Sequence, residues 1–308
     1  MNTPLWGIDL GGTKIEGVVL ENQNSIKELA RPRIATEASK GYEHIVNQIV
    51  RLVDQMKDET GLQPKSIGIG TPGSLDPTTQ TMKNCNTTCL NGQPLHSDLE
   101  ERLGIPIYLA NDANCFAMAE ANLGIVPDAI PNATVVFGII MGTGVGGGLV
   151  VNRQVIHGRN GIGGEWGHNF LDASGGACYC GKSGCVERVL AGPALERYYE
   201  SLTGEKRRMK DIMQRYQAKT DTAATKTIER MLEQFGKAVS VLINVIDPDA
   251  IVLGGGLGNI DLLYTEGVEA VRKHIFNPYP HHTPFLKPKL GDSAGVFGAA
   301  LLTLKNIP

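Results

Sequence analysis

The sequence predicts a two-domain protein of the α/β class, and three observations carry that reading. The chain has 308 residues, about twice the ~150 residues of an ordinary domain. Strand-like and helix-like patterns alternate between Leu5 and Leu123, as α/β architectures require. The opening pattern also recurs. WGIDLGGTKIEGVVL (Trp6 to Leu20) lies without a gap on FGIIMGTGVGGGLVV (Phe137 to Val151), with Gly7, Ile8, Gly11, Gly17 and Val19 repeated at Gly138, Ile139, Gly142, Gly148 and Val150. Two halves of similar build follow, each opening with a hairpin whose glycine turn offers bare backbone N–H groups.

Leu5 to Leu10 and Gly17 to Leu20 read as strands joined by a tight glycine-rich turn. An amphipathic helix spans Tyr42 to Thr60, with Ile45, Ile49, Leu52, Val53 and Met56 on its inner face. A short strand, Ser66 to Gly70, leads into a loop rich in Pro, Gly, Asp and Thr from Thr71 to Pro94. A strand at Ile105 to Leu109 and an Ala-rich helix near Ala113 to Leu123 complete the first half. GIVPDAIPN (Gly124 to Asn132) interrupts both periodicities and is the expected linker. The first domain is thus expected at residues 1–124 and the second at 125–294. Gly142, Gly144 and Gly147 satisfy GxGxxG after a strand, but Leu149 to Val151 and the turn at Asn152 and Arg153 read as a returning strand. A dinucleotide site needs a helix there, and no GxxxxGK[ST] phosphate loop is present.

Hydrophobic residues make up 42% of the chain, the composition of an ordinary globular protein. The 38 glycines are nearly double the usual ~7%, and they cluster at Asp9 to Lys14, Gly142 to Gly148, Gly161 to His168 and Gly254 to Gly258. Lys and Arg total 29 against 32 Asp and Glu, a net charge of −3, so no basic field exists to hold nucleic acid. No apolar run approaches the ~20 residues of a membrane helix, and MNTPLWGIDL carries no export signal. Neither membrane nor nucleic acid is expected as a partner, and the expected location is cytoplasmic.

Facing glycine turns suit phosphate, so the two halves point to a nucleotide held in a cleft. Asp9 ends a strand two residues before the first turn, where a carboxylate could hold Mg²⁺ on nucleotide phosphates or simply stabilise its own turn. Thr13, Lys14 and Thr143 are competent phosphate donors, and Lys14 reads equally well as a solvated charge. Asn111 and Asp112 sit between a strand and a helix, where ligands meet open α/β sheets. They either cap the helix or act on a substrate hydroxyl, the carboxylate as base and the amide on neighbouring hydroxyls. His168, Cys178, Cys180 and Cys185 supply the four ligands of a closed, structural Zn²⁺ site, with disulfides as the alternative. Glu165 and Glu187 flank that cluster, aimed at a polyol or simply solvated. Cys85, Cys89 and Cys115 read as small buried residues.

DLGGTK, NDANC, GTGVGGG, EWGH with CYCGKSGCVE, and GGGL together resemble the ROK family, which comprises sugar kinases and repressors; the resemblance runs from about Leu5 to Leu304. It implies an actin-like, ribonuclease-H-like ATPase fold of two α/β domains around a cleft. A C-terminal helix, about residues 295–308, would return to complete the first domain. It implies ATP-dependent phosphorylation of a hexose by a homodimer. By position, Asp112 resembles the catalytic base. Gly73, Asn86, Asn111, Glu165, His168 and Glu187 resemble sugar contacts. Asp9, Gly11, Gly12, Thr13, Thr143, Gly144, Gly255 and Gly256 resemble nucleotide contacts. The segment Met82 to Leu95, with LANDANC and GEWGHN, is most similar to fructokinases that also accept mannose, with glucose and N-acetylglucosamine kinases as the alternative. A repressor would need a helix-turn-helix before the first glycine turn, which begins within ten residues of Met1. A zinc-organised interaction module would leave the two glycine turns unexplained.

Overall fold

In the computed structural model of the chain, residues 3–276 and 282–304 are described. The chain begins with β1 (Leu5–Leu10), β2 (Lys14–Leu20), β3 (Glu28–Ala30) and β4 (Arg33–Ala35), followed by α1 (Tyr42–Thr60) and β5 (Ile67–Thr71). A small hairpin, β6 (Ser74–Leu75) and β7 (Met82–Lys83), then leads to α2 (Leu95–Leu103), β8 (Ile107–Asn111), α3 (Asp112–Asn122) and α4 (Ile125–Ala129). Next come β9 (Val135–Met141), β10 (Val145–Val151) and β11 (Gln154–Val155), then α5 (Val186–Leu190), α6 (Gly192–Thr203), α7 (Met209–Gln217) and α8 (Thr222–Ile246). β12 (Ala250–Gly254), α9 (Glu266–Arg272), β13 (Phe285–Leu286) and α10 (Ala294–Leu301) complete the described chain.

The described residues pack as two compact units: 3–134, 148–164 and 288–304 form the first, and 135–147, 165–276 and 282–287 the second. The first sheet has the order β3-β2-β1-β5-β8, with β4 also paired to β2. β1 runs antiparallel to β2 and parallel to β5, and β5 is parallel to β8. Both neighbouring pairs are in register at their C-terminal ends, Asp9↔Gly70 and Thr71↔Asn111. The C-terminal ends of the parallel strands therefore bring Thr71 and Asn111 together, with Asp9 one register position earlier. The apolar stripe of α1, with Ile45, Ile49, Leu52, Val53 and Met56 buried, covers one face in a core shared with Trp6, Ile8, Ile67 and Ile69.

α10 and α3 belong to the same unit, and the approach is unusually close. A Cβ added at Gly68 of β5 would collide with the Ala299 carbonyl of α10, and one at Gly298 of α10 with the Cys115 carbonyl of α3. In the second unit β12 pairs in parallel with β9 and β13. α8 is capped by Asp221, whose Oδ1 accepts from Ala223 at 2.8 Å and Ala224 at 3.1 Å. It buries Ile228, Met231, Phe235, Val239 and Ile243. Among the described residues no helix is long and apolar enough to cross a membrane.

The expected elements recur with shifts that have identifiable causes. The strand expected from Ile105 begins at Ile107, because Pro106 lacks an N–H and serves only as acceptor for Ile67. It runs on to Asn111, so α3 starts at Asp112. The strand expected from Gly17 reaches back to Lys14, whose residue pairs Ala35. The expected linker holds a short helix, α4, with Pro127 in its first turn, where no amide is missed. The domain boundaries also differ. The segment 148–164 packs with the first unit, since the Gly148 backbone lies on α3 and Lys83 Nζ reaches the Asn160 carbonyl at 3.0 Å. The C-terminal portion joins earlier, at 288. Glu120 at the end of α3 is fully buried and accepts from the amides of Ile125, Lys289 and Leu290 at 2.9–3.1 Å. Of the expected C-terminal helix, 305–308 lies outside the described residues.

Gly68→Ala and Gly298→Ala are each expected to destabilise the protein by about 1–3 kcal/mol through overpacking against backbone that cannot retreat. Urea or thermal denaturation of the two variants checks this.

Candidate active site

The first unit gathers Asp9, Gly11, Gly12, Thr13, Lys14, Gly73, Asn86, Asn111 and Asp112. Asn111 is the N-cap of α3, its Oδ1 accepting from the Asn114 amide at 2.8 Å. The capping reading is therefore right for Asn111. Asp112 is the first helical residue. Its Oδ1 accepts from the Ala113 amide at 2.8 Å, and no side-chain donor among the described residues reaches Oδ2. Its side chain is open to solvent, but the protein packed around it withholds bulk water, and that desolvation raises its pKa, with backbone hydrogen bonds pulling the other way. A carboxylate that is reluctant to be charged, with one oxygen clear of side-chain donors among the described residues, suits a general base.

Asp9 is half-buried and has no hydrogen-bond donor among the described residues. Desolvation first, then the charges of Asp112 and Glu16, raise its pKa to about 6, while Lys14 lowers it. Neighbouring carboxylates with no hydrogen-bonded cationic partner among the described residues are an arrangement that a hard divalent cation would relieve. Lys14 does not supply that counter-ion alone, since it is exposed and its Nζ lies 3.4 Å from Glu16. Glu16 is buried and is held by Arg31 at 2.5 Å and Arg33 at 2.7 Å. The first glycine turn is fastened by the Gly11 amide to Lys14 O at 3.0 Å and by Thr36 Oγ1 to Gly11 O at 2.6 Å, leaving Gly12 and Thr13 exposed.

Gly73 and Asn86 are brought together, the Asn86 amide donating to Pro72 O at 3.2 Å. Two residues missed by sequence reasoning hold that loop. Thr71 Oγ1 donates to Gly73 O at 2.8 Å and Ala110 O at 3.2 Å. Asn91 clasps Cys85, accepting from its amide at 2.8 Å and donating to its carbonyl at 3.1 Å. Cys115 lies under both carboxylates, its thiol pKa pushed well up by burial and by Asp9 and Asp112.

The second unit holds Thr143, Gly144, Glu165, His168, Glu187, Gly255 and Gly256. The turns after β9 and β12 meet, as a Cβ on Gly142 would sit 3.7 Å from the Gly256 amide. Gly255 has φ +77, and a Cβ added there would collide with the Met141 backbone, a position only glycine fills without strain. Glu187 does more than flank the metal cluster. Its Oε2 accepts from the Val145 amide at 3.1 Å, tying the second glycine turn to α5. Trp166 anchors the Glu165 segment, its Nε1 donating to Gly146 O at 3.4 Å.

All six cysteines are free, so no disulfide forms. The donor atoms of His168, Cys178, Cys180 and Cys185 lie within 4.8 Å of one another. Cys180 Sγ to Cys185 Sγ and Cys178 Sγ to His168 Nδ1 are both 3.6 Å. A tetrahedral zinc with its usual bond lengths places S···S at about 3.8 Å and S···N at about 3.5 Å. His168 Nε2 lies 2.9 Å from the Tyr179 hydroxyl, leaving Nδ1 for metal, as outer partners of ligating histidines do. Burial, then the neighbouring thiols, push Cys185 up to about 12, a cost a bound cation would offset. The set fits zinc and has no open position for water.

Comparison with known proteins follows from this geometry. The ROK family model matches residues 5–306. The N-acetyl-D-glucosamine kinase of Vibrio cholerae serotype O1 is 36% identical, over 97% of this chain and 99% of that protein. The crystal structure of a ROK hexokinase from Thermus thermophilus matches with TM-score 0.87 at 31% identity, covering 98% of this chain and 99% of that one. A ROK family glucokinase from Streptomyces griseus, solved with glucose and AMPPNP, matches with TM-score 0.76 at 27% identity, covering 99% and 100%. The fold is the actin-like, ribonuclease-H-like α/β fold expected from the sequence.

Elemental analysis after dialysis is expected to find one zinc per chain, lost in Cys185→Ser. Asp9 is raised in the folded state, so its charge costs stability as pH rises through about 6 and costs none below its unfolded value. Without added cation or nucleotide, Asp9→Asn is therefore expected to gain about 1–3 kcal/mol at pH 7.5 and nothing near pH 3.5. Denaturation curves at the two pH values check the sign.

Proposed function

The chain belongs to the ROK family of sugar kinases, and we propose that it transfers the γ-phosphate of ATP to the 6-hydroxyl of N-acetylglucosamine. The observation that carries the choice of sugar is the 36% identity over nearly the whole chain to an N-acetyl-D-glucosamine kinase. The fructokinase reading taken from the Met82 to Leu95 segment gives way to the alternative stated beside it. Fructose, mannose and glucose become the comparison substrates.

In this reading Asp112 accepts the proton of the attacking hydroxyl through its free Oδ2, aided by the desolvation that raises its pKa. Phosphoryl transfer otherwise demands positioning and charge stabilisation rather than covalent chemistry from the protein. Asp9 would hold Mg²⁺, which neutralises charge developing on the phosphates. The amides and hydroxyls of Gly11, Gly12, Thr13, Thr143, Gly144, Gly255 and Gly256 would bind the nucleotide, with Lys14 beside them. Gly73, Asn86, Asn111, Glu165 and Glu187 would orient the sugar, as would His168 through Nε2 on exchanging the Tyr179 hydroxyl for a sugar hydroxyl. Zinc on His168, Cys178, Cys180 and Cys185 would supply no chemistry. It would fix the segment from which Glu165, His168 and Glu187 project.

A coupled ADP-release assay across N-acetylglucosamine, fructose, mannose and glucose is expected to give the highest kcat/KM with N-acetylglucosamine. A higher value with fructose or mannose would restore the fructokinase reading. Asp112→Asn is expected to lower kcat by about 10²–10⁴-fold, as loss of a general base does, with the melting temperature preserved.

A further inference from the structure

The first unit contains a cavity of about 270 Å³ that the kinase reading leaves unused, just below the ~300–1,000 Å³ range of ligand pockets. It is bounded by the C-terminal end of α3, the turn between β10 and β11, and the end of α10. Met118, Leu301 and Leu302 give it an apolar floor, and Asn122, Arg153 and Gln154 give it a polar wall. Among the described residues no acidic group lines it, and Arg153 is the one charged group that does.

The arginine lies exposed at the rim, yet it is pre-positioned. Asn152 and Arg153 occupy left-handed backbone conformations with φ of 50 and 66, the geometry of a tight hairpin turn. Arg153 Nε donates to Asn122 Oδ1 at 2.9 Å, and Asn122 Nδ2 returns to the Arg153 carbonyl at 3.3 Å. Asn122 is itself buried and tied to the Met118 carbonyl at 2.8 Å. Among the described residues the two terminal guanidinium nitrogens have no partner, so the fork is held by its stem and open at its tip.

We propose that this cavity binds a small organic carboxylate, its anion paired two-pronged with Arg153 and its hydrocarbon body on Met118, Leu301 and Leu302. A carboxylate matches the planar fork, and an apolar body is what distinguishes the occupant from inorganic anions, which would leave the floor unused. Along α3 (Asp112–Asn122), Asn122 lies about 15 Å from Asp112 and Met118 about 9 Å from it at 1.5 Å per residue. The two sites are separate.

Calorimetric titration of the intact, metal-loaded protein with hexanoate tests the assignment, without reference to any kinase activity. Hexanoate is expected to bind saturably with Kd on the order of 1 mM or tighter, undisplaced by N-acetylglucosamine plus ADP. Hexanamide and inorganic phosphate are expected to bind at least about tenfold more weakly, as is hexanoate to Arg153→Gln. Should Arg153→Gln melt early, Leu304→Trp, which narrows the cavity while keeping the arginine, is expected to abolish binding. Absence of saturable hexanoate binding, equal binding of hexanamide or phosphate, competition by N-acetylglucosamine plus ADP, or unchanged affinity in the folded variants would each overturn the proposal.

Discussion

The near-contact of α10 with bare backbone on both of its neighbours is the constraint on which the first unit depends. Gly68 lets the helix lie directly on β5, and Gly298 lets it lie directly on α3. Interiors at such density move as blocks rather than as pliable layers. Asp9, at the end of β1 with Gly295 of α10 close to its carboxylate, and Asp112, at the start of α3, are consequently fixed with respect to each other. Side chains of ordinary size at the glycine positions would push these elements apart and spread the two carboxylates.

That fixed placement carries an energetic tension. Asp9 and Asp112 are both held where their charged forms are disfavoured, and each raises the difficulty for nearby groups, including the Cys115 thiol. Elsewhere in the same sheet the problem is solved. Glu16 is more deeply buried, yet Arg31 and Arg33 hold it and its pKa is lowered despite desolvation. The contrast separates a carboxylate with two cationic partners from two carboxylates that have none hydrogen-bonded to them among the described residues. Proteins commonly tolerate such local cost where function requires it.

Much of this was legible in the sequence because it rests on local signals. The periodicity of Tyr42 to Thr60 gave the bounds of α1, and the spacing of His168 with three thiols gave a cluster whose donors do converge. The strand-turn-helix pattern around Asn111 and Asp112 gave two residues with different duties, one a cap and the other with a free oxygen. What stayed hidden depends on partners remote in the chain. Nothing local marks Glu187 as the residue that ties down the Val145 amide, Asn91 as the clasp on Cys85, or the 148–164 segment as part of the first unit. The strand beginning at Ile107 instead of Ile105 was a readable signal, since a proline cannot donate to a ladder.

The buried Glu120 carboxylate bears on how such a chain can be made. It gathers amides from Ile125, just after its own helix, and from Lys289 and Leu290, far downstream. During synthesis the first half emerges long before its remote partners, so this acid must wait, solvated, while the second unit's residues are translated. Domains tend to fold as units as they leave the ribosome. Here the segment 135–147 with 165–287 can close before the earlier-made portion acquires its last helix, which reverses the usual N-to-C order of maturation.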